Sequence, residues 1–216
     1  MKRLIMGLAL LLLLTQQLTA QTKTAKYRIN AYAGYVFDDG VDSYYDAFNY
    51  YDGTIKGGFQ WGLGAEYLVH PYYGIELSYY RQDTDAPMTY YQNGIKNTNF
   101  DLGISWILLG VNRYFKLDAP MITPYIGGGV GVAIVDIENP NTNYSDNATK
   151  FAWNFRGGTN INLSSRVAFK VQAQLMSAVQ GAGGGLYFGT GGVGAGLSTY
   201  STVLQFGFHG GLALSF

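Results

Sequence analysis

The chain has 216 residues, the length of one domain, with 30 glycines, 19 tyrosines and only 13% charged residues. Its formal net charge is zero, which argues against a nucleic-acid partner and a polybasic membrane patch. Cysteine is absent, which excludes disulfides, thiol catalysis and Cys-ligated metals together.

The first element is a processing segment. Lys2 and Arg3 form a charged start, Leu4 to Leu14 an apolar run, and Leu18-Thr19-Ala20 a small-residue cleavage site. The run is about half the ~20 residues a spanning helix needs, so cleavage between Ala20 and Gln21 is expected. No Cys follows, so no lipid-modified N-terminus is expected, and residues 21–216 form the mature domain. No second long apolar run occurs.

Beyond the signal, apolar residues recur with period two and not with helical spacing, which predicts eight strands. The first spans Tyr27–Phe37, with Tyr27, Ile29, Ala31, Ala33, Tyr35 and Phe37 on one face and Arg28 and Asn30 on the other. The second, Phe59–Val69, sets Phe59, Trp61, Leu63, Ala65, Tyr67 and Val69 against Gln60 and Glu66. The third, Tyr73–Arg81, sets Ile75, Leu77 and Tyr79 against Glu76 and Ser78.

The fourth strand, Asn99–Phe115, reads as Phe100, Leu102, Ile104, Trp106 and Leu108 on the apolar face, with Asp101, Gly103 and Ser105 opposite. Its second half, Ile107–Val111, is apolar on both faces, consistent with a bulge or a local apolar lumen. The fifth, Tyr125–Val135, puts Gly127, Gly129 and Gly131 on one face and Ile126, Val130, Val132 and Ile134 on the other. The sixth sets Phe151, Trp153, Phe155 and Ile161 against Asn154, Arg156, Asn160 and Asn162. The seventh sets Val167, Phe169, Val171, Ala173 and Leu175 against Lys170, Gln172 and Gln174. The eighth runs to the last residue, with Leu204, Phe206, Phe208, Leu212, Leu214 and Phe216 sharing one face and Gln205, His209 and Ser215 the other.

Connections after strands two, four and six are short, and the others run to about fourteen residues or more. This is the asymmetry of periplasmic turns and extracellular loops in transmembrane barrels. The Gly-rich stretch 177–200 has room for another hairpin, so a ten-stranded barrel is the alternative.

A soluble barrel with an apolar interior has the same periodicity, and the second face decides between them. That face carries Gly, Ser, Asn and Gln with few charges of either sign, rather than the many Lys and Glu a solvated exterior needs. Arg28, Glu66, Glu76, Asp101, Arg156, Lys170 and His209 are therefore expected to form a polar, ion-paired lumen. An Arg or Lys turned outward at midplane costs about 2–4 kcal/mol. Aromatics near strand ends (Tyr35, Phe37, Trp61, Tyr67, Tyr72, Tyr73, Tyr79, Tyr114, Phe151, Trp153) fit the interfacial girdles.

Tyr32-Ala-Gly-Tyr35, Pro124-Tyr-Ile-Gly-Gly-Gly-Val-Gly131 and the terminal Phe resemble the small bacterial outer-membrane β-barrel family of the OmpA membrane domain, OmpX and the opacity-type proteins. The resemblance implies an all-β, eight-stranded antiparallel up-and-down transmembrane β-barrel in the cell outer membrane. It also implies outer-membrane lipid and lipopolysaccharide as surroundings, with barrel-assembly machinery and periplasmic chaperones as partners. Phe208, Leu212, Leu214 and Phe216 match the family's C-terminal assembly signal. No second domain is expected after Phe216.

Neither His70, in a predicted turn, nor His209 has the Ser and carboxylate neighbours that acid–base chemistry requires, so no enzyme and no cofactor are expected. The Gly-rich runs at 181–185 and 189–194 lack the Lys-Ser/Thr of a phosphate loop. Predicted extracellular segments carry Asp38, Asp39, Asp42, Asp46, Asp52, Asp83, Asp85, Asp136, Glu138 and Asp146, whereas Lys23, Lys26, Lys116 and Arg166 lie near the periplasmic end. The acidic set reads as solvated loops or as cation bridges to lipopolysaccharide. Tyr44-Tyr45, Tyr50-Tyr51 and Tyr90-Tyr91 read as an adhesive surface or as more girdle. The expected role is structural or surface interaction, with an extracellular ligand at the loops. A narrow channel for small or apolar solutes is the alternative if Ile107, Leu109 and Val111 line the lumen.

Overall fold

The computed structural model describes residues 25–46, 49–91, 95–118, 121–140, 144–179, 185–189, 192–196 and 203–216, and Ala20 and Gln21 fall outside them. Among the described residues the strands are β1 (Tyr27–Val36), β2 (Asp39–Asp46), β3 (Asn49–Ile55), β4 (Gly58–His70), β5 (Tyr73–Tyr91), β6 (Ile95–Tyr114), β7 (Ile122–Asn139), β8 (Tyr144–Asn162), β9 (Val167–Val179), β10 (Gly185–Gly189), β11 (Gly192–Gly196) and β12 (Val203–Ser215). Eight of them close a wall in the order β1-β4-β5-β6-β7-β8-β9-β12 and back to β1, each pair antiparallel. Closure gives every wall strand two neighbours, which hydrocarbon demands of backbone amides.

The seam is held to the last residue. The carbonyl of Phe216 accepts from the amides of Lys26 and Tyr27, and the Phe216 amide donates to Tyr27. Outside, Phe37, Phe206 and Phe208 pack ring against ring across β1 and β12.

The eight predicted strands are all present, but four of them extend further than expected. Beyond Arg81 the third predicted strand does not become a loop: β5 continues to Tyr91, β6 begins at Ile95, and β7 and β8 approach within a short connection at Asn139 and Tyr144. In these extensions the alternation persists with inverted polarity. Ala86, Met88, Phe100, Leu102, Val135 and Ile137 point inward and are buried, while Asp83, Asp85, Asp101, Asp136 and Glu138 point outward and are exposed. Above the lipid the outer face meets water, so the apolar residues move to the lumen.

The same inversion reverses the expected faces of β6. Ile104 and Trp106 are 0% exposed, Phe100, Leu102 and Leu108 are also buried in the lumen, and Ile107, Leu109 and Val111 are 40%, 56% and 50% exposed on the lipid side. Apolar residues on both faces of one strand give periodicity no means of choosing. Tyr114 likewise leaves the expected girdle and lies buried inside. Tyr35, Phe37, Trp61, Tyr67, Tyr72 and Phe151 are exposed outside, and Tyr73, Tyr79 and Trp153 are half-buried there.

Two hairpins lie outside the closed ring of eight. β10 and β11 form the extra hairpin in the Gly-rich stretch, but as a separate two-stranded sheet lying against β5, β7 and β8. β2 and β3 join the wall only above the membrane, where β3 replaces β4 as the neighbour of β5 through Tyr51↔Tyr90 and Gly53↔Met88. The exchange is pinned at Lys56, whose amide donates to the Asp85 carbonyl (2.8 Å) and whose carbonyl accepts from Thr84 Oγ1 (2.6 Å). The Asp38 carboxylate accepts from the Gly57 amide and from Lys56 Nζ, which hold it below its ordinary acidity range.

The corrected faces predict the fluorescence of the three tryptophans. In vesicles with brominated acyl chains, a variant retaining only Trp106 (Trp61→Phe, Trp153→Phe) should be quenched several-fold less than one retaining only Trp61. Equal quenching would reverse the assignment of β6.

Candidate functional site in the lumen

The lumen has two halves of opposite chemistry. Towards the periplasmic end it is crossed by a charged network carried on β1, β4, β5, β6, β8 and β9. Arg28 Nη1 pairs with Glu66 Oε2 at 3.2 Å. Arg156 Nη2 pairs with Glu76 Oε2 at 2.9 Å. Asn112 joins the two pairs, its Nδ2 donating to both Glu66 Oε1 and Glu76 Oε2 at 2.9 Å while its Oδ1 accepts from Arg156 Nε at 2.9 Å. Glu76 Oε1 also accepts from Asn30 (2.7 Å) and Tyr32 (2.6 Å), and Glu66 accepts from Tyr114. Both carboxylates are paired and hydrogen-bonded, which makes buried charge tolerable in a narrow barrel, although Arg156 Nη1 and Asn30 Oδ1 find no hydrogen-bond partner among the described residues.

Lys170 is held differently. Its ammonium donates to Tyr32 Oη at 3.0 Å and lies 5.3 Å and 4.9 Å from the ring centroids of Tyr32 and Tyr125. Ring faces attract a desolvated cation. Arg28 lies over Tyr114 in the same way, at 5.1 Å. Wall glycines make the space: a Cβ at Gly64 would run into the Glu76 carboxylate, one at Gly74 into that of Glu66, and one at Gly127 into Asn112.

Of the lumen residues expected from sequence, the structure brings together Arg28, Glu66, Glu76, Arg156 and Lys170. His209 is buried one level away, its Nε2 2.9 Å from Gln60 Oε1 and its ring beside Tyr80. Asp101 is corrected: it lies exposed on the outer face, opposite Asp85 and Glu138, because it sits above the polarity inversion. Tyr32, Tyr114, Tyr125 and Asn112 are members that sequence reasoning passed over. Tyrosine fits either face of a barrel, so alternation gives them no address. The inward parity of Asn112, two residues from Tyr114 and opposite Val111, was the available signal.

The extracellular half is mostly apolar, with Gln82 and Lys150 also buried in it. Tyr80, Ala86, Met88, Phe100, Leu102, Ile104, Trp106, Val135, Ile137, Met176 and Val203 form one buried cluster. Between the halves lie amides with unanswered groups, including both polar atoms of Asn154 and Gln205 and the Trp106 indole nitrogen. Buried groups of that kind call for water or a polar ligand.

Outside, the two rims differ in charge. Arg81 bridges Asp83 (2.6 Å) and Asp136 (3.1 Å) at the extracellular edge, among Asp85, Asp101, Glu138 and Asp146. Among the described residues no group of three acidic, His or Cys side chains is arranged to hold a metal ion. The side chains of the paired tyrosines Tyr44-Tyr45 and Tyr50-Tyr51, and of Tyr90 and Tyr91, lie outside the described residues.

The geometry separates two carboxylates that sequence reasoning grouped together. Glu76→Ala should lower unfolding stability in lipid vesicles by about 3–5 kcal/mol, the cost of stranding a buried partner. Asp101→Ala should change it by less than about 0.5 kcal/mol, as for an exposed site. Urea titrations of the two variants check the contrast.

A model of the outer membrane protein beta-barrel domain matches residues 6–208. Among solved structures, Neisserial surface protein A is similar at 14% identity and a TM-score of 0.57, covering 88% of this chain and 97% of that one. The outer membrane protein OprG from Pseudomonas aeruginosa is similar at 15% identity and a TM-score of 0.52, covering 90% of this chain and 97% of that one. At these identities the likeness speaks to the fold. None of the curated proteins compared gives a significant match. With a closed wall, a lipid-facing apolar band and a family model spanning nearly its whole length, the chain belongs to the outer membrane protein beta-barrel domain family, and the outer membrane is its place.

Proposed function

We propose that this barrel is a closed, non-catalytic surface protein whose raised extracellular wall meets an external ligand. The observation that carries the reading is the Arg28–Glu66–Asn112–Glu76–Arg156 network, which links β1, β4, β5, β6 and β8 across the lumen on the periplasmic side. Eight strands leave just enough interior for side chains. Support also comes from β5 to β8, which rise past the lipid band with polar outer faces. His209, with Gln60 and Tyr80 as neighbours, lacks the partners of a general base. Lipopolysaccharide and lipid surround the band in this reading, and the ligand docks at the loops.

Planar-bilayer recording tests it. The wild-type barrel should give no steady single-channel current, and such currents would overturn the closed-lumen reading. The apolar extracellular half favours a second reading, in which small apolar solutes enter the lumen from outside. That reading predicts saturable binding of a small apolar fluorophore, weakened several-fold by Leu102→Asn.

The outward stripe of Phe208, Leu212, Leu214 and Phe216 suits recognition by the assembly machinery after delivery by periplasmic chaperones, with signal cleavage between Ala20 and Gln21. Deleting Phe216 removes its three backbone bonds to Lys26 and Tyr27 as well as that mark. The fraction migrating as heat-modifiable barrel should fall, and an unchanged fraction would argue against the role.

A further inference from the structure

Two arginines on the outer face of wall strands, at opposite membrane boundaries, are treated in opposite ways. Arg81, at the extracellular edge, is neutralised by Asp83 and Asp136. Arg113, at the periplasmic edge, has no carboxylate partner among the described residues. It stands next below Val111 on the outer face of β6, opposite Tyr73 on one side and Ile126 on the other. Its guanidinium donates to Tyr73 Oη and lies 5.2 Å from the Tyr73 ring centroid and 5.5 Å from that of Phe115. Two rings thus fix an exposed, uncompensated cation at the level where acyl chains give way to headgroups.

The surroundings extend the same chemistry. Lys116 is exposed three residues on, in the connection to β7. Between that connection and the β4–β5 turn lies a groove of about 870 Å³, lined by Tyr72, Lys116, Leu117 and Ile122 among others. Leu117, Met121 and Ile122 are exposed beside it, as chain-contacting residues would be. Asp118 also lines the groove and is the one acidic side chain there, beside Lys116, while Arg113 stands outside the groove on the neighbouring wall.

We infer that Arg113 and Lys116, with Tyr73 and Phe115, form a binding site for the phosphate group of an anionic glycerophospholipid in the leaflet facing the periplasm. A guanidinium offers several donors in a rigid plane to phosphate oxygens, and stacking between rings removes the entropy of holding it there. Each cation near an anionic lipid surface contributes about fivefold in affinity. Arg113, Tyr73 and Phe115 lie on the outer wall, so the site stands independently of whether the lumen conducts.

Native mass spectrometry of the intact barrel, equilibrated in detergent with equal amounts of phosphatidylglycerol and phosphatidylcholine, tests the inference. The wild type should retain phosphatidylglycerol about fivefold or more in preference. Arg113→Gln should bring the ratio close to one, Lys116→Gln should lower it partly, and Arg113→Lys should keep part of the preference. Heat-modifiable migration verifies that each variant is folded. Equal retention by the wild type, or a preference unchanged in Arg113→Gln, would overturn the site. Displacement of the lipid by millimolar inorganic phosphate would identify a general anion site and overturn the assignment to lipid.

Discussion

One constraint organises this molecule: the medium touching the outside of each strand changes from hydrocarbon to water partway along its length. Below the change, apolar side chains must face out and polar ones are confined within. Above it, the outer face is hydrated and the interior takes over as the place to bury apolar surface. β5, β6 and β7 each cross the boundary, passing from Tyr79, Ile107 and Val132 outside to Asp83, Asp101 and Asp136 outside. The two halves of the lumen follow from that crossing rather than from separate designs.

The lower half holds Arg28, Arg156 and Lys170 against Glu66 and Glu76, so cations outnumber carboxylates in the network. Tyrosine makes up the difference. Tyr32 donates to Glu76 while accepting from Lys170, and its ring and that of Tyr125 face the ammonium. Glycine on neighbouring strands completes the fit by leaving room for side chains that reach across the axis. Removing one member of such a network leaves its partner buried and charged, which costs far more than the pair contributes on its own. The lower lumen is therefore a closed set, sized to the barrel that contains it.

The wall itself was legible from sequence because lipid imposes an unambiguous rule on one face. Strands such as Phe59–Val69 and Leu204–Phe216 obey it from end to end, and their registers and faces follow directly. Legibility failed where the rule changes hands. Phe100 to Leu108 form an apolar stripe as clean as any lipid-facing one, and only the barrel's closure shows that it points inward. The residues beyond Arg81 and Val135 resembled loops because their outer faces are acidic, although their backbones continue the ladder. Asp101 was misplaced for the same reason. The charged lumen residues on the lower halves of the strands were accessible to reasoning because a bare Arg or Glu has no other tolerable location there. Their tyrosine and asparagine partners were not, since those side chains are compatible with either surface.

The lipid-facing stripe is uneven around the circumference. On β5 it runs from Tyr73 to Tyr79, whereas on β12 it runs from Leu204 to Phe216. At about 3.3 Å per residue and a tilt near 45°, these correspond to heights of roughly 14 Å and 28 Å. A bilayer meeting this cylinder must be pinched beside β5 and close to its relaxed thickness beside β12, at an elastic cost of fractions of a kcal/mol per Å. Neighbouring copies that share one pinched zone deform less membrane than copies that each make their own. The shape of the apolar band thus gives a round barrel a front and a back, and with them a preferred heading in a crowded membrane.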